Sequence, residues 1–370
     1  MWGTVAAAQS TRPTDEALPS LFPIRAEWTL ALNNQLTVPP VYSGVHAYFA
    51  ITGDRLVAYE LERGRQLWIS SVRTLIQPAA GDGLVFVIEP SALTAMQDSD
   101  GSIAWQLPAP GTLVVPPVWA DGWLVVALDT GDVLAYRATD GHLVWRRSLG
   151  SPAHALPSFA TDRVDVPLED GRIVALALAT GEPIWERRLP GPATALLPAG
   201  DRLFAGSTDN FLYALDANDG HIAWRWRTGA DVVGIPAVDE HRVYFVSLDN
   251  VLRALSLKSG VQQWARPLPI RPTRGPLAIA RTLVVSGVAP TLRAFNAIDG
   301  RPAGDVAVPG ELAGSPYGVP NPPGSLPQVV VVTHDVAKGA TVTLFARQLE
   351  PALIPSSSVP SFVKPVALEP

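Results

Sequence analysis

The chain has 370 residues, 47% hydrophobic and 17% charged, with 30 glycines, 36 prolines and a formal net charge of −6. Low charge with abundant turn formers fits short strands joined by tight turns rather than long amphipathic helices, and the absence of a basic tract argues against nucleic acid as a partner, the pair Arg225 and Arg227 being too small a footprint. Cysteine is absent, which excludes disulfides, thiolate metal sites, a cysteine nucleophile and a lipid-bearing cysteine within this sequence, and no run of about eighteen apolar residues offers a membrane span.

Residues 1–23, rich in Thr, Ser, Ala and Pro, read as a flexible leader. Within them Val5-Ala6-Ala7-Ala8-Gln9 resembles the end of a secretory signal, but the charged and apolar regions that normally precede such a site are missing from the sequence. A truncated export signal and a plain linker both remain open. Ala26 to Leu30 then predicts a strand centred on Trp28.

From there tryptophan marks a period. Trp28, Trp68, Trp105, Trp145, Trp185, Trp224 and Trp264 are 40, 37, 40, 40, 39 and 40 residues apart, and Gly304 holds the next position, where the motif has decayed. Four residues before each tryptophan after the first stands a glycine (Gly64, Gly101, Gly141, Gly181, Gly220, Gly260), and Gly300 continues the series. Six residues before each glycine stands an alanine: Ala58, Ala95, Ala135, Ala175, Ala214, Ala254 and Ala294. A self-similar period of about forty residues is the mark of stacked supersecondary units sharing one core.

The fifth unit shows the content. Arg202–Gly206 predicts a strand, Thr208-Asp209-Asn210 a turn, Phe211–Leu215 a strand, Asn218-Asp219-Gly220 a tight turn and Ile222–Trp226 a third strand. A glycine after Asp or Ser supplies the positive φ that a hairpin needs. A fourth strand lies upstream, marked by Pro40, Pro78, Pro117, Pro157, Pro198, Pro236, Pro276 and Pro316. Proline cannot donate to a ladder and belongs on a sheet edge. Four antiparallel strands per unit is a propeller blade. The tryptophans are then wedges between blades, and the alanines are small because sheets approach closely.

After Gly304 three more strands are predicted, around Leu312–Val319, Gln328–Thr333 and Ala340–Ala346, with no fourth. The strand at Trp28 has no preceding three. The solution is an all-β, eight-bladed propeller over 24–349, its last blade completed by the N-terminal strand, which leaves no open sheet edge at the seam. Residues 350–370 form a Pro-rich tail whose apolar residues, Phe362 among them, suit docking as an extended peptide.

Ala214 to Trp224, Ala-Leu-Asp-Ala-Asn-Asp-Gly-His-Ile-Ala-Trp, resembles the PQQ-type repeat of bacterial quinoprotein dehydrogenases and of the BamB-like propellers of outer-membrane assembly. In length and closure the chain is nearest to the latter. That resemblance implies a non-enzymatic scaffold, periplasmic or associated with the outer membrane, with protein partners in a membrane-associated assembly; peripheral contact with the membrane stays open. The alternatives are a PQQ-dependent dehydrogenase and a sensor of small ligands or glycans, for which the off-register Trp119, Trp123 and Trp226 would supply a platform. The dehydrogenases are longer and carry a vicinal cysteine pair and a calcium site, and this sequence has neither the pair nor a dense acidic run. No cofactor or metal is therefore expected.

None of the histidines 46, 142, 154, 221, 241 and 334 shows metal-ligand spacing, and Asp129, Asp209 and Asp249 read as turn caps. Two departures from the repeat are candidate partner contacts. Arg163-Val164-Asp165-Val166-Pro167 puts a carboxylate and a proline in mid-blade, predicting a bulged or frayed strand with Asp165 and Pro167 available. The insertion Val319-Pro320-Asn321-Pro322-Pro323-Gly324 lengthens a loop at the seam and offers Pro320 and Pro322.

Overall fold

A computed structural model describes residues 20–320, 322, 325–335 and 339–348. They form eight antiparallel sheets in chain order, seven of them four-stranded and spanning 41–71, 79–108, 118–148, 158–188, 193–227, 232–267 and 277–307. In the eighth the first strand is split into Glu311–Leu312 and Tyr317–Val319, both paired with Gln328–Asp335; then comes Gly339–Arg347, and Ile24–Ala31 completes the sheet by pairing with it. The eight-bladed propeller and its seam are those read from the repeat. Six of the recurring prolines sit immediately before a blade's first strand, while Pro198 and Pro236 lie within Ala193–Ala199 and Val232–Val238, an edge where a missing N–H costs no ladder bond.

Second and third strands are almost wholly buried, whereas fourth strands alternate exposed and buried, so the latter form the outer rim. The apolar side chains fall into eight clusters, each between two neighbouring sheets. One joins the first and second blades through Tyr48, Trp68 and Val85, and another joins the eighth and first through Val330, Leu344 and Phe49. Every blade buries both faces, one against each neighbour.

The repeating triad builds these joints. In each blade from the first to the sixth the alanine is the cross-strand partner of the tryptophan, as in Ala135 opposite Trp145. The small residue leaves room for the indole. Trp68, Trp105, Trp145, Trp185, Trp224 and Trp264 each donate Nε1–H to a backbone carbonyl of the next blade at 2.7–3.2 Å. The glycine of the next blade lies under the ring. Gly220 turns its hairpin at φ +69°, and a Cβ there would stand 2.5 Å from Trp185. Any side chain at that position both strains the turn and pushes out the wedge.

The seam departs from this pattern twice. Opposite Trp28 stands Leu344 in place of alanine, and the bulkier residue takes space that the indole has elsewhere. The ring sits further from its glycine, with a Cβ on Gly64 at 3.2 Å, and its buried Nε1 has no acceptor. In the seventh blade Gly304 pairs with Ala294 in the tryptophan register, and Phe22 from the leader fills the space, lying 2.4 Å from where a Cβ on Gly304 would be. Leu21 (0% exposed) and Phe22 (8%) belong to the cluster between the seventh and eighth blades. Ser20 Oγ is 3.1 Å from Thr282 Oγ1, the Leu21 amide donates to that same hydroxyl, and Arg347 donates to the Ser20 and Phe22 carbonyls. Leu21 and Phe22, set outside the propeller by composition, are packed into it.

The expectation for the fourth blade is corrected. Arg163–Pro167 pairs without interruption with Arg172–Ala177 on one side and with Ser158 and Phe159 on the other, and all five residues are buried. Asp165 is 0% exposed, with Oδ1 accepting from Arg163 Nε at 2.8 Å and Oδ2 buried without a partner. The i, i+2 spacing puts both side chains on one face of the strand, where the arginine supports the carboxylate instead of letting the strand fray. Asp165 and Pro167 are therefore interior residues and offer no surface.

Three outcomes follow in denaturant unfolding. Trp145→Phe costs about 1–2 kcal/mol more than Trp28→Phe, because only the former gives up a hydrogen bond and orphans a carbonyl; equal losses would remove that bond from the account. Phe22→Ala costs about 3–5 kcal/mol, as for a core aromatic, where a free leader residue would cost next to nothing. Burial pushes the Asp165 carboxyl up to about 6 against the pull of Arg163. A raised folded-state pKa means that the native chain holds this proton more tightly than the unfolded one, so the contribution is full below about 3.9 and is lost as pH rises through 6. Asp165→Asn therefore gains on the wild type by about 2–3 kcal/mol between pH 4 and pH 7, and a pH-independent difference would contradict this.

Candidate interaction surfaces

Because strand directions alternate, each blade places its 2–3 turn and its connection to the next blade at one end of the molecule, and its 1–2 and 3–4 hairpins at the other. Both faces expose apolar side chains, the hairpin face through Val45, Ile103 and Val261 at 42–61%. On the connection face Leu75, Val114 and Leu156 lie in inter-blade segments and Val288 in a 2–3 turn; with Ile235 of the sixth blade's first strand they are 36–70% exposed. Loops on a rigid scaffold are where proteins place binding residues.

The first strands of the blades line the central channel. Tyr42 and Tyr317, in the first strands of the first and eighth blades and toward their 1–2 hairpins, stack with centroids 4.4 Å apart and planes within 4°. Tyr317 Oη donates to the Gly44 carbonyl at 2.9 Å, while the Tyr42 hydroxyl is buried without a partner and desolvation drives its pKa up. Gln77 Nε2 donates to the Pro40 carbonyl at 2.8 Å across the first joint. Two clefts meet here. One of about 420 Å³ is walled by Pro39, Tyr42, Gln77, Pro316 and Tyr317; the other, of about 480 Å³, by Val288, Ala289, Pro290 and Leu312. Arg274 lines both. Sequence reading passed over Arg274 and the tyrosine pair, which share no register with the tryptophans.

Aspartates brace the connections. Asp249 accepts from the Gly229 amide at 3.0 Å, from Ser247 Oγ at 2.6 Å and from both terminal nitrogens of Arg253. Although burial alone would raise its pKa, these bonds hold it at about 2. This is the expected turn cap, reinforced by an ion pair. Asp209 accepts instead from Tyr213 Oη at 2.5 Å, and Asp129 shows only a backbone bond, to the Thr112 carbonyl.

On the hairpin face Pro320 and Pro322 are exposed and wall a cleft of about 660 Å³ with Trp28, Val45, Glu62 and Leu344. The seam insertion and the ill-fitting tryptophan thus come together, while Asp165 and Pro167 lie apart and inside. Phe362 is outside the described residues. The off-register tryptophans pack into the joints: Trp119 lies over Gly81 of the second blade, Trp123 joins the cluster between the third and fourth blades, and Trp226 that between the fifth and sixth. His46 Nδ1 lies 3.3 Å from Asp98 Oδ2, bridging the first two blades. Among the described residues no three His, Asp or Glu side chains gather to hold a metal ion, and no helix is long and apolar enough to cross a membrane.

The sequence profile of the family described as outer membrane protein assembly factor BamB matches residues 25–115, 108–199 and 169–317. A curated outer membrane protein assembly factor BamB of Nitrosomonas eutropha is 29% identical over 120 residues, a match that spans 31% of this chain and 29% of that relative. Among solved structures, BamB from Moraxella catarrhalis superimposes with a TM-score of 0.68 at 18% identity, covering 88% of this chain and 98% of that one. Quinohemoprotein alcohol dehydrogenase from Comamonas testosteroni gives 0.66 at 12%, covering 87% and 76%. At such identities the superpositions establish the propeller and no activity. With its profile running unbroken from Arg25 to Tyr317, the chain belongs to the family of outer membrane protein assembly factor BamB.

Proposed function

We propose that the chain is a non-enzymatic protein–protein interaction scaffold of a cell-envelope assembly, working in the periplasm or at the outer membrane. What carries the reading is family membership joined to a connection face that exposes apolar side chains around a channel mouth. Exposed apolar groups on a rigid frame suit a protein surface better than solvent. Two carboxyls with strongly shifted pKa values are used within the frame: Asp165 pairs inside a blade and Asp249 braces two loops. Pro320 and Pro322 are proposed as a second contact, on the hairpin face.

The test is capture of the tagged full chain from crosslinked envelope extract of its source, read by native mass. A stable heteromeric complex is expected, and recovery of the bare monomer alone counts against the scaffold. Titration with PQQ and calcium leaves the tryptophan fluorescence unchanged and yields no dye-linked alcohol oxidation; saturable quenching with turnover would make the chain a quinoprotein instead.

A further inference from the structure

Most buried or half-buried arginines of this propeller are answered by a carboxylate or a backbone carbonyl, Arg281 being an exception besides Arg274. Arg163, Arg172, Arg242 and Arg253 each have a carboxylate oxygen within 2.6–3.0 Å. Arg274 does not. It is half-buried at the channel mouth, and among the described residues it has neither an ion pair nor a hydrogen bond. Removing a cation from water without a counterion is unfavourable, and burial accordingly lowers the pKa of this guanidinium. Its main chain is fixed, since the next residue, Gly275, lies against the sixth blade so closely that a Cβ there would be 1.9 Å from the Ile235 carbonyl. The acid lining the same cleft is Glu311, whose side chain is 87% exposed and lies 4.0 Å from His334.

We propose that Arg274 is the anchor of a peptide-binding site, receiving the carboxylate of an acidic side chain from a partner protein's extended segment. The inference rests on the scaffold reading and gives that scaffold a place and a chemistry. The cation stands where two open clefts join. An apolar residue next to the acid fits the cleft of Val288, Pro290 and Leu312, and the chain on its other side runs over Pro39, Pro316 and the Tyr42–Tyr317 stack. Prolines and stacked rings give a flat wall with few competing donors, while the planar guanidinium matches a carboxylate with two parallel bonds. A small dicarboxylate would satisfy the charge but leave both clefts open.

The experiment uses the full chain on an array of random dodecapeptides, each duplicated with Asn and Gln in place of Asp and Glu. Retained peptides should carry an acid beside an apolar residue. Their amide copies, and Arg274→Gln against the acidic originals, should bind about 10- to 100-fold more weakly, the range of one lost charge-assisted bond. Arg274→Gln should melt no lower than the wild type, since it deletes an unanswered charge, and Arg25→Gln at the distant rim should bind as the wild type does. Binding with no need for an acid, undiminished binding by Arg274→Gln, full displacement by free glutarate or an array with no retained peptide would each overturn the site. Envelope capture separates the two ideas. Complexes recovered equally with and without Arg274 keep the scaffold and remove the anchor, whereas no complex with either removes the scaffold.

Discussion

The molecule depends on the contact between an indole and a glycine hairpin in the next sheet. The ring buries a large apolar area, of the order of 150–250 Å², and its N–H answers a carbonyl that the hairpin would otherwise leave unpaired. Neither half works alone. A glycine without the ring leaves a void, and a ring over any other residue has nowhere to lie. Since each sheet gives a wedge to one neighbour and a seat to the other, the joints fix both blade order and blade spacing.

Most of this was legible in the sequence because the joint is periodic. One residue triad repeated at nearly constant spacing predicts strand, turn, register and neighbour together, and even the closing strand at Trp28 follows from counting. What escaped was aperiodic. Phe22 stands in for a tryptophan 282 residues away, between Phe22 and Gly304, and only the decay at Gly304 hinted that something else must fill the gap. Arg274 sits in a connection of ordinary composition, and the lack of a partner is a property of three dimensions. Asp165 was misjudged for a nearer reason. The arginine two residues before it was visible, but a charged residue and a proline in mid-strand were read as a break when they form a pair inside an intact sheet.

Asp165 and Arg274 show two ways of handling charge in a low-dielectric frame. The aspartate has a neighbour on its own strand and is kept where no partner protein can reach it. The arginine is left at a mouth lined by proline and aromatic rings. One is internal bracing, with its cost shared by a second charge; the other presents an unmet attraction to whatever approaches the connection face. The same physics of desolvation therefore separates a structural ion pair from a recognition element.

Segments more than 300 residues apart in sequence close the last two joints. Ile24–Ala31 lines one edge of the eighth sheet, and Phe22 seals the gap between that sheet and the seventh. A chain emerging from the ribosome makes these N-terminal residues first and must hold them in waiting until Gly339–Arg347 has been synthesised. Until then the nascent propeller is an arc with two raw sheet edges, the kind of surface that invites aggregation.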